Sequence, residues 1–213
     1  LLYISLKGYE GFYKDKNIFI TFVIGIILGF IAALVQSLTI AGVIIYVILL
    51  AFFDQLLKTM VLNIKRLQEK RETVIYGITL GLGFGSSFTP ILIIAVSRLI
   101  TSDVYILSLI AVGSLGVIFF HGATGAYIGY GISTGKLIRH LLIAIILQIP
   151  FNFIMGVVII FSNPDSPNFQ FEYITGIITV GIIYGGLVYW YIVKKIMPQI
   201  LLKIRRRKSV QNE

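Results

Sequence analysis

From Asn17 to Phe53 the chain carries no charged side chain, and the same holds from Val104 to Gly135 and from Leu141 to Phe161. A bilayer's hydrocarbon core is about 30 Å thick and an α-helix rises about 1.5 Å per residue, so roughly 20 apolar residues cross it. Runs of this length exclude a water-soluble globule. The composition agrees: 57% of the residues are hydrophobic and 13% charged, with a mean hydropathy of +0.95, whereas a soluble domain needs about 25% charge to cover its surface. The expected fold is all-α, a polytopic transmembrane helix bundle of six spans. They run Ile18 to Gln36, Leu38 to Leu62, Val74 to Ser97, Val104 to Gly135, Leu141 to Phe161 and Tyr173 to Val193. Residues 1–213 form one membrane domain, since nothing outside the helices is long enough for a second core.

Alternating the loops between two sides places every Lys and Arg except Arg98 on one side. By the positive-inside rule that side is cytoplasmic. The chain reads as an integral, multi-pass membrane protein with a cytoplasmic C-terminus and a basic cytoplasmic tail over 194–213. The formal net charge of +9 is then topogenic, with the tail set against anionic lipid headgroups; no nucleic-acid partner is implied. The opening Leu1-Leu2-Tyr3-Ile4-Ser5-Leu6 reads equally as the end of an earlier helix, which would make seven spans in the intact protein. Without cysteine there are no disulfides, cysteine-ligated zinc or iron–sulfur clusters, or thiol nucleophiles.

Ionisable groups inside a span are costly and usually face a bundle interior, so they are the functional candidates. There are three: Asp54, Lys58 and His121. Asp54 and Lys58 are four apart on one helix face, either as an internal ion pair or with Lys58 reaching back to the cytoplasmic surface. His121 interrupts the fourth span, and His140, beside Arg139 in a short loop, is expected to be solvated. Gln148, Pro150 and Asn152 break the fifth span, where Pro150 frees the carbonyl of Ile146. The third span carries Ser86, Ser87, Thr89 and Pro90. Counted from the cytoplasmic helix ends, Asp54, Gly83 to Ser87, His121, Gln148 and Asn152 share one broad layer. Asp54, Lys58, Ser86, His121, Gln148 and Asn152 are therefore expected to form either a site or a hydrogen-bonded network that fixes helix register.

Glycines recur at four-residue spacing, notably Gly77, Gly81 and Gly85, and Gly125 and Gly129. Such ridges let helix backbones approach closely, either inside one bundle or against a membrane-protein partner. Gly81-Leu-Gly-Phe-Gly85 lies within a helix and lacks the strand–turn–helix setting of a phosphate loop. No transporter-like inverted repeat is evident.

In order, Phe53-Asp54-Gln55-Leu-Leu-Lys58, Tyr76-Gly77 with Gly81 to Gly85, His121-Gly-Ala-Thr124-Gly, and Gln148-Ile-Pro-Phe-Asn152 resemble the motifs of PrsW-type intramembrane proteases. The resemblance covers roughly residues 50–160. It implies kinship with the CAAX prenyl endopeptidases and with the anterior-pharynx-defective subunit of γ-secretase, a seven-span scaffold. A loop beginning Ser162-Asn-Pro164 adds to the latter likeness. The family's Glu-Glu-x-x-Lys falls on Asp54-Gln55-x-x-Lys58, its later glutamate on Phe88, and its last histidine on Gln148. Asp54 and His121 remain as acid/base or ligand groups. Two protein ligands fall short of the three usual for zinc, so no metal site is expected, and no pattern identifies a cofactor. The resemblance thus implies a PrsW-like, non-proteolytic scaffold that binds or stabilises another membrane protein. Its alternative is an active intramembrane protease using Asp54 and His121 on a membrane-protein substrate.

Overall fold

The computed structural model describes residues 2–38, 44–68, 71–97, 104–161 and 171–199. The described residues are all-helical, without strands. In chain order the helices are α1 (Leu2–Leu6), α2 (Asp15–Leu38), α3 (Ile44–Leu62), α4 (Thr73–Ser86), α5 (Phe88–Ser97), α6 (Val104–Ser133), α7 (Leu137–Phe161) and α8 (Phe171–Tyr191), the last running into a π-helical turn at Ile192–Ile196.

Five stretches among the described residues are long and apolar enough to cross a membrane: Asp15–Ser37, Thr73–Ile91, Ser108–Ser133, Leu137–Val157 and Thr175–Ile196. The second expected span corresponds to α3, which adjoins residues 39–43, outside the described residues, and is not among these five. The third expected span is two helices, α4 and α5, parted at Ser87. Pro90 accounts for the break, since its ring collides with the carbonyl four residues earlier, at Ser86, and it offers no amide hydrogen. Ser87 Oγ instead donates to the carbonyl of Ile26 on α2, at 2.7 Å. Arg98, the loop from Ser162 to Pro164 and tail residues 200–213 lie outside the described residues.

The bundle is arranged around α4. Of the apolar stretch Thr73–Ile91, which is α4 and the start of α5, 78% is buried, against 33% for the stretches of α2 and α7 and 22% for that of α8. Glycine makes this possible. A Cβ on Gly77 would stand 2.3 Å from the carbonyl oxygen of Gly125, and one on Gly125 would stand 2.2 Å from that of Gly77. Gly81 meets the His121 carbonyl in the same way at 2.0 Å, Gly85 meets Ile118 Cα at 2.7 Å, and Gly129 meets the Thr73 carbonyl at 2.4 Å. The α4 and α6 backbones therefore touch along about three turns. The opposite side of α4 does the same with α2, where Gly25 and Gly29 face the carbonyls of Leu80 and Phe84 at 2.2 and 2.1 Å. All five glycines singled out in the sequence are thus occupied by this chain's own helices.

Outside this centre the surface is apolar, with Phe19, Phe30, Leu49, Met60, Phe153, Ile183 and Trp190 all at least half exposed. Water disfavours so much contiguous hydrocarbon, while lipid tails match it.

The glycine contacts set an asymmetric expectation. Gly81→Ala and Gly125→Ala should each lower the thermal midpoint in detergent, by about 1–3 kcal/mol of stability, because a methyl group forces backbones apart. Gly156→Ala and Gly176→Ala, where nothing lies within 4 Å, should be neutral or raise it by up to about 1 kcal/mol through helix propensity. Equal effects at all four positions would contradict the packing.

Candidate functional site

Three helices contribute the buried polar residues. α3 supplies Asp54, Gln55 and Lys58, α6 supplies His121 and Thr124, and α7 supplies Gln148 and Asn152. All seven are at most 5% exposed. Helical spacing explains the grouping: Asp54 and Lys58, His121 and Thr124, and Gln148 and Asn152 are each three or four residues apart, so each pair shares a face.

Lys58 does not snorkel to a surface. Its Nζ donates to Thr124 Oγ1 at 2.8 Å and lies 3.2 Å from His121 Nδ1. It can donate to that nitrogen when the imidazole proton sits on Nε2. The ammonium also lies 5.2 Å from the centre of the Phe84 ring, near enough for a cation–π attraction. Thr124 returns its own proton to the helix, towards the carbonyls of Phe120 and His121 at 3.1 and 3.2 Å.

Asp54 is held from the other side. Gln148 Nε2 donates to Asp54 Oδ2 and also to Asn152 Oδ1, the latter at 3.3 Å. Gln148 Oε1 accepts from Gln55 Nε2, and Asn152 Nδ2 donates to the backbone carbonyl of Val47 at 3.3 Å. The result is a ladder between α3 and α7 in which Asp54 supplies the single carboxyl group. The expected ion pair is therefore only half right: Asp54 and Lys58 share a face and interact electrostatically, but their hydrogen-bond partners lie across the interface, on α7 and α6 respectively. Gln55 Oε1 has no partner.

Aromatic rings close around His121. Phe88 stacks on it at 5.2 Å and 16°, Phe84 tilts against it at 4.8 Å, and Phe120 and Phe151 present edges at 5.8 and 6.4 Å. Phe88 is the position on which the resemblance would have placed a glutamate. Among the described residues no three His, Cys, Asp or Glu side chains gather where they could hold a metal ion. The layer offers two such groups, Asp54 and His121, and the imidazole nitrogen facing α3 is already engaged by Lys58.

Two expectations need correction. Ser86 is outside the network, because its Oγ donates to the carbonyl of Gly83 at 2.7 Å, as a serine near a helix end commonly does. His140 is not solvated: it is 7% exposed, its ring centre lies 4.7 Å from Tyr127 and 5.4 Å from Tyr130, and Nδ1 is 2.8 Å from the Lys136 carbonyl. Gln55 and Thr124 are members that residue type alone did not single out. The signal was available in their spacing, next to Asp54 and three residues after His121.

The chain matches no protein-family model, and comparison with curated proteins and with solved structures returns no significant similarity.

Removing one partner from a buried charged pair costs more than removing both, because the survivor is stranded. Asp54→Asn and Lys58→Met should each destabilise the folded protein by about 2–4 kcal/mol. The double variant should fall short of the sum by about 1 kcal/mol or more. Additive losses, read from thermal unfolding of the three variants in one detergent, would show that the two charges are not coupled.

Proposed function

We propose that this chain is a multi-pass membrane protein of the PrsW-like superfamily, with six spans, and that it works as a non-proteolytic scaffold for another membrane protein. The observation that carries the reading is the convergence of motif positions far apart in sequence. Asp54, Gln55, Lys58, Phe88, His121, Gln148 and Asn152 come within one layer. Where the protease family would have a second carboxylate, a later glutamate and a further histidine, this chain has groups that bond or stack onto the remaining ones. Gln148 binds Asp54, Gln55 binds Gln148, and Phe88 covers His121.

Hydrolysis of a peptide requires a group free to activate water and another to stabilise the oxyanion. Here the carboxylate accepts a hydrogen bond from Gln148 and the imidazole is packed among four phenylalanines. A polar layer bonded across three helices in this way, with only Gln55 Oε1 left without a partner among its described members, fixes helix register and favours a single arrangement of the bundle. The glycine ridges of α4 and α6 are engaged internally, which leaves the outer faces of the other helices for a partner. Orientation by the positive-inside rule puts the C-terminus in the cytoplasm, with its basic segment at the anionic leaflet.

The competing reading, a membrane endopeptidase that uses Asp54 and His121, makes a different demand on one experiment. The tagged protein is extracted from its native membrane in mild detergent, and the mass and protein components of the complex are determined for wild type, Asp54→Asn and His121→Ala. The scaffold reading expects a stoichiometric membrane partner with wild type and its loss in step with lowered stability of the variants. A protein that emerges alone, together with membrane proteins that accumulate uncleaved when folded Asp54→Asn replaces wild type, would overturn the scaffold in favour of the protease.

A further inference from the structure

Between α1 and the first turns of α2 lies a cavity of about 360 Å³ whose lining divides by chemistry. Leu2, Leu6, Ile18 and Phe22 give it an apolar lining, and two acidic residues, Glu10 and Asp15, line it as well. The cavity is built by the backbone. Gly8 and Gly11 both take left-handed φ angles, +88° and +80°, which glycine adopts without strain, and they turn the chain back from α1 towards α2. Glu10 Oε2 accepts from the Gly8 amide at 2.8 Å, Leu6 is buried in the core, and Ser5 is bonded to Tyr189 of α8. The wall is therefore anchored at both ends.

Depth orders the lining. Asp15, Ile18, Phe19 and Phe22 follow the i, i+3, i+4, i+7 spacing of one helix face. From Asp15 to Phe22 that face descends about 10 Å along α2. It begins with charge at the head of the helix and ends in hydrocarbon. The two carboxylates stand out against the surrounding basic surface of Lys7, Lys14 and Lys16, all exposed. Their field is felt within the cavity: burial first, then the negative charges of Glu10 and Asp15, push the Tyr13 phenol above its usual pKa.

We infer that this cavity holds a bilayer lipid with a primary ammonium headgroup, its ammonium between Glu10 and Asp15 and its acyl chain along Ile18, Phe19 and Phe22. Charge complementarity selects the occupant. A primary ammonium offers three N–H donors and a positive charge to the two carboxylates, whereas a quaternary headgroup offers no donor and a glycerol headgroup no positive charge. The exposed Lys14 and Lys16 flank Asp15 in sequence and add positive charge to the same end of α2. This inference does not depend on the scaffold reading.

The full chain, purified in mild detergent, is mixed with equal amounts of dioleoyl phosphatidylethanolamine, phosphatidylcholine and phosphatidylglycerol, and retained lipid is counted by native mass spectrometry. Phosphatidylethanolamine should be retained at least about five-fold over the other two, the discrimination expected of one charge-assisted contact worth roughly 1 kcal/mol. Glu10→Gln combined with Asp15→Asn should reduce that preference to less than about two-fold. Tyr3→Arg, a change at a highly exposed position of the lining, should do the same and serves if the double variant does not fold. Equal retention of the three lipids, or a preference that survives the substitutions in folded protein, would overturn the inference. So would a preference that emerges only after residues 200–213 are removed, which would assign the cavity to the basic tail.

Discussion

The direct contact of two backbones, α4 on α6, is the constraint on which the other features depend. Gly77 and Gly125 each occupy the place where the other's side chain would be, and Gly81 lies against the carbonyl of His121 itself. The contact that packs the two helices therefore also fixes the height and rotation of the histidine. In lipid no hydrophobic force drives helices together, so close van der Waals packing and interhelical hydrogen bonds must hold them. α4 meets α2 through glycine on its other side, which makes a three-helix centre with few side chains between its backbones.

α3 is attached by different means. It reaches α6 through Lys58 and α7 through Asp54 and Gln55, and its outward residues Leu49, Phe52, Leu56 and Met60 are exposed. A slip of one residue would turn these polar groups towards hydrocarbon, where each unsatisfied group costs several kcal/mol. The network therefore specifies where α3 sits even if its net contribution to stability is modest. On the proposed scaffold reading the same contacts argue against hydrolysis, because Asp54 accepts from Gln148 and His121 is engaged by Lys58 and packed among phenylalanines.

Much of this was legible in the sequence, because lipid leaves the chain few options. Uncharged runs located the helices, and Asp54, His121, Gln148 and Asn152 were recognisable as a converging set because they had no other reason to lie in apolar segments. What misled was context. The direction of Lys58 could not be read from its spacing to Asp54, since either an ion pair or a surface contact fits that spacing, and Thr124 was the deciding partner. Ser86 looked like a network member by depth, but depth says nothing of rotation, and its hydroxyl was satisfied within its own helix. His140 sat beside Arg139 in what read as a loop, yet α7 begins at Leu137 and turns the ring in against Tyr127 and Tyr130. The break at Ser87 is foreshadowed by Pro90, which the sequence places inside the third expected span.

On the proposed reading the polar layer is a sealed structural clasp and not a hydrated reaction site. The cysteine-free sequence permits a direct test. Thr124→Cys, close in size to the native residue and buried, is treated in the folded state with a small charged methanethiosulfonate, with Lys65→Cys, exposed in the turn after α3 and outside the apolar stretches, as the reactive control. The account predicts that cysteine at 65 is modified at once and cysteine at 124 only after unfolding in strong detergent. Comparable modification of both in the folded protein would mean that water reaches His121 and Asp54, and would contradict it.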